Sequence, residues 1–158
     1  MNRTIIIAEA GVNHNGDMNI AHRLIDAAAD AGVDYVKFQT FKTENLVSCD
    51  APTAEYQKSA TNETSQFAML KRLELSETQH LELIDYCRQK GVKFLSTAFD
   101  LDSIDLLSRF DLDFWKIPSG EITNYPYLVK IARTSKPVVM STGMCDLADV
   151  KNALDVLT

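Results

Sequence analysis

The sequence predicts an α/β protein of the (β/α)8, or TIM-barrel, kind, of which about the first five βα units are present. Three observations predict it. Short apolar runs alternate with stretches of helical spacing, and no hairpin signal joins two runs, so the strands must be parallel and covered on both faces. The apolar runs end repeatedly in reactive side chains, namely Glu9, Lys37 with Gln39, Thr97, Lys116 with Ser119, and Ser141 with Thr142. Barrel enzymes assemble their sites at that end of the strands. Finally, no GxGxxG follows the first run, which weighs against the competing open, doubly wound sheet. A complete barrel needs eight units and about 250 residues. At 158 residues, the chain reads as the N-terminal part of such a domain, 1–158.

The elements follow in order. Ile5 to Ala8 is a β-branched run expected to be a fully buried strand, and the turn-rich stretch Gly11 to Asp17 follows it. Ile20, Leu24, Ala27, Ala28 and Ala31 then fall on one helical face, with Gly32 as the stop. Val33 to Gln39 is the second strand. From Thr40 to about Leu75 no strand is expected, only an amphipathic stretch carrying Phe67, Leu70 and Leu73. A connection of that length inside a compact domain predicts a functional lid.

Ser76 and Gln79 form a capping box for a helix carrying Leu81, Leu83, Ile84 and Cys87, ended by Gly91. Val92 to Thr97 is the third strand. Asp100 caps a helix with Leu101, Ile104, Leu107 and Phe110, and Phe114 to Ile117 is the fourth strand. Asn124 to Arg133 is helical, with Pro126 early, where a missing N–H costs nothing. Pro137 opens the strand Val138 to Met140, and Asp146 caps a last helix with Leu147, Val150, Leu154 and Leu157.

Composition excludes several functions. The chain is 46% apolar and 24% charged, as expected of a soluble globular protein. Its net charge of −6 offers no basic stripe for nucleic acid, so any anion must be held by a local cluster. Three scattered cysteines (Cys49, Cys87, Cys145) without CxxC spacing read as reduced thiols of a cytoplasmic protein. The four apolar residues Ile5 to Ala8 are too few for a signal-peptide core or a membrane span.

Two residues carry the chemistry. Lys37 and Lys116 stand in core strands, where an unpaired charge costs several kcal/mol. Alternation along the strand turns Lys37 and Gln39 to the barrel interior and Val36 and Phe38 to the helices. Two ammonium groups aimed into one barrel mouth predict a site for a small, highly charged anion such as a phosphate ester. Ser119-Gly120-Glu121 follows the fourth strand, and glycine there permits an unusual turn and a close backbone approach to a ligand. Glu121 is the candidate acid or base among these cations. Glu9 either pairs with a lysine or meets substrate hydroxyls, and both can hold. His14 reads as a loop residue or a ligand, His22 and His80 read as surface, and no spacing completes a metal site.

Four ordered stretches carry a resemblance: Ala8 to Asp17 (Ala-Glu-Ala-Gly-Val-Asn-His-Asn-Gly-Asp), Val36 to Phe41 (Val-Lys-Phe-Gln-Thr-Phe), Lys116 to Pro126 (Lys-Ile-Pro-Ser-Gly-Glu-Ile-Thr-Asn-Tyr-Pro) and Lys136 to Met144. Over nearly its whole length the chain resembles the sialic acid synthases, meaning N-acetylneuraminate synthase and its bacterial legionaminate-type relatives. The resemblance implies condensation of phosphoenolpyruvate with an N-acyl-mannosamine-type sugar, giving a nine-carbon 2-keto acid and phosphate.

It further implies that Lys37, Thr97, Lys116, Ser119 and Ser141 hold phosphoenolpyruvate. Glu9, Gln39 and Glu121 would meet the sugar, with Glu121 transferring a proton and Asn62 as the loop asparagine on the sugar. A divalent metal, manganese in the family, would polarise the sugar aldehyde, held by two histidines of later strands beyond residue 158. A homodimer is implied as well, because the family's C-terminal antifreeze-like domain lends an arginine to the partner subunit. The alternatives from the residues alone are a Schiff-base aldolase using Lys37 or Lys116, and a non-catalytic half-barrel that binds a phosphorylated sugar.

Overall fold

Alternating strands and helices build the molecule, and the computed structural model describes residues 3–48 and 65–158. The strands are β1 (Ile7–Gly11), β2 (Tyr35–Thr40), β3 (Lys93–Ala98), β4 (Trp115–Ile117) and β5 (Val138–Met140). The helices are α1 (Met18–Asp30), α2 (Thr43–Leu46), α3 (Gln66–Leu73), α4 (Glu77–Lys90), α5 (Leu101–Ser108), α6 (Tyr125–Ala132) and α7 (Leu147–Leu157), and Ser119–Glu121 forms a 3-10 turn. The β1–β2 and β4–β5 pairs are parallel, as helical crossovers require. The strands lie in two ladders, β1-β2-β3 and β4-β5, where one continuous sheet was expected. β4 has only three residues, because Pro118 cannot donate to a ladder and the chain turns at Ser119.

The chain divides into two compact units, Met1–Leu95 and Ser96–Thr158, and β3 crosses from the first to the second. In the first unit α1 packs on α4. Asp17 caps α1 by accepting from the Asn19 N–H at 2.7 Å. The Ser76–Gln79 capping box closes the start of α4, and Gly91 ends that helix in the left-handed region at φ +74°. The buried residues of α1 are Ala21, Ile25 and Ala28, so of the expected face Ile20, Leu24, Ala27, Ala28 and Ala31 only Ala28 is buried and the centre lies one position on. The apolar stripe of this alanine-rich helix is wide, so its spacing leaves the centre open. In α4 the buried residues are His80, Leu83 and Cys87, while Leu81 is exposed. His80 is therefore a core histidine, correcting its reading as a surface residue. Leu101 of α5 is likewise exposed.

Ile5 and Ile6 are exposed, and β1 starts only at Ile7, so the expected fully buried strand is displaced by two residues. The Ile6 carbonyl still accepts from the Asp34 and Tyr35 N–H groups at 2.9 and 3.1 Å, which ties the strand entry to β2. The excursion after β2 is helical at both described ends, α2 and α3, with Met69 and Leu73 buried. Residues 49–64, which include Asn62 and the body of the expected lid, lie outside the described residues.

In the second unit α6 packs against both α5 and α7. Trp115 and Ile117 are buried beneath β4, and Trp115 Nε1 donates to Thr134 Oγ1 at 2.8 Å. Burying side chains of this size stabilises a fold by roughly 1.5–3 kcal/mol each. Alternation then leaves Lys116 on the opposite face of β4.

Candidate active site

In the first unit the site is built at the ends of β1 and β2. Glu9 and Lys37 are register partners, and Lys37 Nζ lies 2.6 Å from Glu9 Oε2. The pairing then slips. Gly11, not Ala10, faces Phe38, so Ala10 is the extra residue of a bulge. Gly11 sits at φ +56°, and a Cβ there would stand 3.1 Å from Glu9 Oε1 and 3.6 Å from Gln39 Nε2. The bare glycine therefore lets both side chains close over the backbone. Glu9, Lys37 and Gln39 form one polar cluster at the strand ends, while Val36 and Phe38 are buried on the other face, as the alternation predicts.

In the second unit Lys116 is the register partner of Val139. Its ammonium donates to Ser141 Oγ at 2.5 Å and to the Ile117 carbonyl at 2.8 Å. The Ser141 N–H continues the ladder by donating to Ile117 O at 3.0 Å, so backbone and side chain of Ser141 both grip the end of β4. Cys145 Sγ donates to the Ser119 carbonyl at 3.4 Å, joining the turn after β5 to the turn after β4. Glu121 is half-buried in the 3-10 turn, with Asn124 Nδ2 donating to its Oε2 at 2.7 Å. Thr97 is buried near the end of β3, only 1% exposed. Gly120 makes the turn without a positive φ and with open space around its Cα, so the unusual backbone expected there is absent.

Two polar features, Glu74 and the Asn124 side chain, were missed in the sequence, and His14, left open there between loop residue and ligand, is a buried turn residue. His14 is fully buried, and its Nδ1 accepts from the Gly16 N–H at 3.0 Å, fixing the β1–α1 turn. Burial, with His80 nearby, holds its pKa below the ordinary value. Glu74, at the end of α3, accepts from the Thr43 N–H at 3.0 Å, Thr43 Oγ1 at 2.9 Å, and Lys42 and Lys71 at 3.1 Å each. Asn124 was read only as the start of a helix. An asparagine three residues after a candidate acid was the available signal. Among the described residues no group of three or more His, Cys, Asp or Glu side chains could hold a metal ion. Nor, among them, is any helix long and apolar enough to cross a membrane.

These features define an α/β protein of parallel βα units whose strand ends carry paired lysines, carboxylates and hydroxyls. Residues 24–158 match the NeuB family, and the chain belongs to it. It is 53% identical over 158 residues to N,N'-diacetyllegionaminic acid synthase of Campylobacter jejuni, covering 99% of this chain and 47% of that protein. It is 52% identical over 153 residues to the enzyme of the same name from Legionella pneumophila, covering 96% of this chain and 43% of that protein. The N-acetylneuraminic acid (sialic acid) synthetase of Leptospira borgpetersenii superposes with a TM-score of 0.83 at 29% identity, over 99% of this chain and 50% of that one. The chain thus spans about half the length of the relatives it matches.

Proposed function

We propose that this chain supplies the phosphoenolpyruvate-binding part of a synthase that condenses phosphoenolpyruvate with an N-acyl-mannosamine-type sugar. The product is a nine-carbon 2-keto acid of the sialic or legionaminic type, with release of phosphate. The observation that carries the reading is the pair of strand-end ammonium groups in a NeuB-family chain, Lys37 against Glu9 and Lys116 against Ser141. The five βα units are, on this reading, the first part of a (β/α)8 barrel, and a C-terminal antifreeze-like domain belongs to the longer protein.

Lys37, Lys116, Thr97, Ser119 and Ser141 bind the phosphate and carboxylate oxygens. Because the charge is held in place before the reaction, it stabilises the developing phosphate without reorganisation. Glu9, Gln39 and Asn62 meet the sugar. C3 of the enol attacks the aldehyde carbon of the open-chain sugar, water adds at C2, and the tetrahedral intermediate expels phosphate. Glu121 moves the proton. A divalent cation, manganese by family resemblance, would polarise the sugar aldehyde when bound, and we assign its ligands to strands beyond residue 158. We assign the working protein to the cytoplasm, as a homodimer acting on small molecules, with neither nucleic acid nor membrane as partner.

The test is phosphate release by the full reading frame that encodes this chain, given phosphoenolpyruvate, manganese and a panel of 2-acetamido sugars. Release that depends on one of the sugars is expected, with Lys116→Ala lowering it at least tenfold, as loss of a charged transition-state contact does. Residues 1–158 alone are expected to give no turnover. Borohydride treatment with pyruvate is expected to leave the mass unchanged. A covalent adduct, or no phosphate release with any sugar, would overturn the assignment.

A further inference from the structure

Glu121 lies on a short turn, and a 3-10 turn of three residues cannot fix a side chain by itself. Its orientation comes from the start of α6. Asn124 is the N-cap of that helix, and its side chain accepts from the Tyr127 N–H at 3.3 Å. A backbone N–H can only donate, so the atom facing it must be Oδ1, and the amide nitrogen is turned the other way. That nitrogen, Nδ2, donates to Glu121 Oε2 at 2.7 Å. One side chain thus satisfies a helix terminus and grips the carboxylate, and neither bond can form with the amide flipped.

The helix start is itself anchored. Tyr127 is fully buried, and its hydroxyl donates to the Ala98 carbonyl at 2.8 Å, at the last residue of β3. Burial first, then the charges of Glu121 and Asp100, push the Tyr127 phenol upward, so it stays a donor at any working pH. The Asn124 N–H also donates to the Glu121 carbonyl at 3.0 Å, and Pro126 pre-sets the backbone of the first turn. A continuous set of bonds runs from the end of β3 through Tyr127 and Asn124 to Glu121.

We infer that Asn124, anchored by Tyr127, is a positioning residue that aims the Glu121 carboxylate for proton transfer. The inference rests on the role given to Glu121 in the proposed reaction. Two variants separate aiming from capping. Asn124→Ser keeps a good N-cap but is too short to reach Glu121, whereas Asn124→Asp keeps the cap and sets a second negative charge beside it. In the full reading frame, Asn124→Ser is expected to retain the thermal midpoint and KM. It should lose kcat about tenfold or more, the scale of a misplaced reacting group.

Asn124→Asp keeps the cap but cannot donate to the carboxylate, so it should lose kcat at least as far, again with KM and the thermal midpoint retained. Glu121→Gln is the reference variant. If it turns over like the parent, the role of Glu121 fails and this inference with it. If it is inactive while Asn124→Ser and Asn124→Asp keep kcat, the inference alone is overturned.

Discussion

Glu9 and Lys37 face each other across β1 and β2 as register partners, their charged ends 2.6 Å apart. The Glu9 side chain is 50% exposed and that of Lys37 only 13%, so the pair is a half-solvated bridge at a strand mouth, not a core ion pair. Such exposed pairs stabilise by about 0.2–1 kcal/mol. If Lys37 holds an anion, Glu9 competes with that anion. Glu9→Gln should therefore tighten phosphoenolpyruvate binding by up to about fivefold, the same energy read as affinity. Lys37→Ala should weaken it severely. Calorimetric titration of both variants decides the matter, and equal affinities would remove Lys37 from the anion site.

The turn after β1 makes its closest approach at Gly16. It lies at φ +79°, and a Cβ there would stand 2.5 Å from the Arg72 carbonyl oxygen of α3. Gly32 has a similar φ of +69°, with nothing within 4 Å. Gly32→Ala should therefore cost only the left-handed backbone penalty, roughly 1–2 kcal/mol. Gly16→Ala must in addition push a backbone carbonyl aside and should cost clearly more. Urea unfolding of the two variants measures the difference. Equal costs would mean that α3 is not seated on the turn.

What was legible in the sequence was what neighbouring residues determine. The Ser76–Gln79 capping box, β5 at Val138–Met140 and the Asp146 cap of α7 stand where their residues predict, because each depends on a few adjacent positions. The strand-end lysines were visible for a similar reason, since a lysine interrupts the continuous apolar run expected of a parallel strand covered on both faces. The rest depends on partners distant in the chain. His80 looked exposed on its helix, but it bonds Thr40, forty residues earlier, at 2.7 Å. Glu74 carries no local signal at all, because its partners Lys42 and Thr43 lie more than thirty residues before it. The shift of the α1 face has the same origin, since packing against α4 selects the centre of a wide apolar stripe.

Glu74 closes the base of the excursion after β2. Burial alone would raise its pKa, but the Thr43 N–H, Lys71, Lys42 and the Thr43 hydroxyl together hold it down to about 2, against an ordinary value of 4.5. A depressed carboxylate contributes stability that is full above its unfolded pKa and is lost as pH falls from 4.5 toward 2. The contribution is on the order of 3 kcal/mol at neutral pH. Glu74→Gln should lose that amount at pH 7 and should flatten the decline below pH 4.5. Denaturant melts across that range check both, and a variant with the parent's acid slope would refute the cluster's contribution.

The end of β2 depends on the state of one ring. His80 Nδ1 lies 2.8 Å from the Ser76 carbonyl and must donate to it, so in the neutral ring Nε2 accepts from the Thr40 hydroxyl at 2.7 Å. Burial, foremost, and the Lys42 charge lower the His80 pKa below its ordinary 6.5, outweighing the Ser76 carbonyl and Glu77, which raise it. Because the folded pKa is the lower one, the unfolded chain binds the extra proton first. Stability is then full above pH 6.5 and falls as pH drops through it, with His14 adding to the same slope. Thr40→Val removes the hydroxyl at nearly constant volume and should cost about 1–2 kcal/mol at pH 8, where neutral Nε2 would lack that donor. A protonated ring cannot accept that bond, so the gap between variant and parent should narrow as pH falls through the lowered folded pKa of His80. Urea melts of both proteins at several pH values measure the gap. No cost of Thr40→Val at pH 8 would mean that the Thr40 hydroxyl does not donate to Nε2.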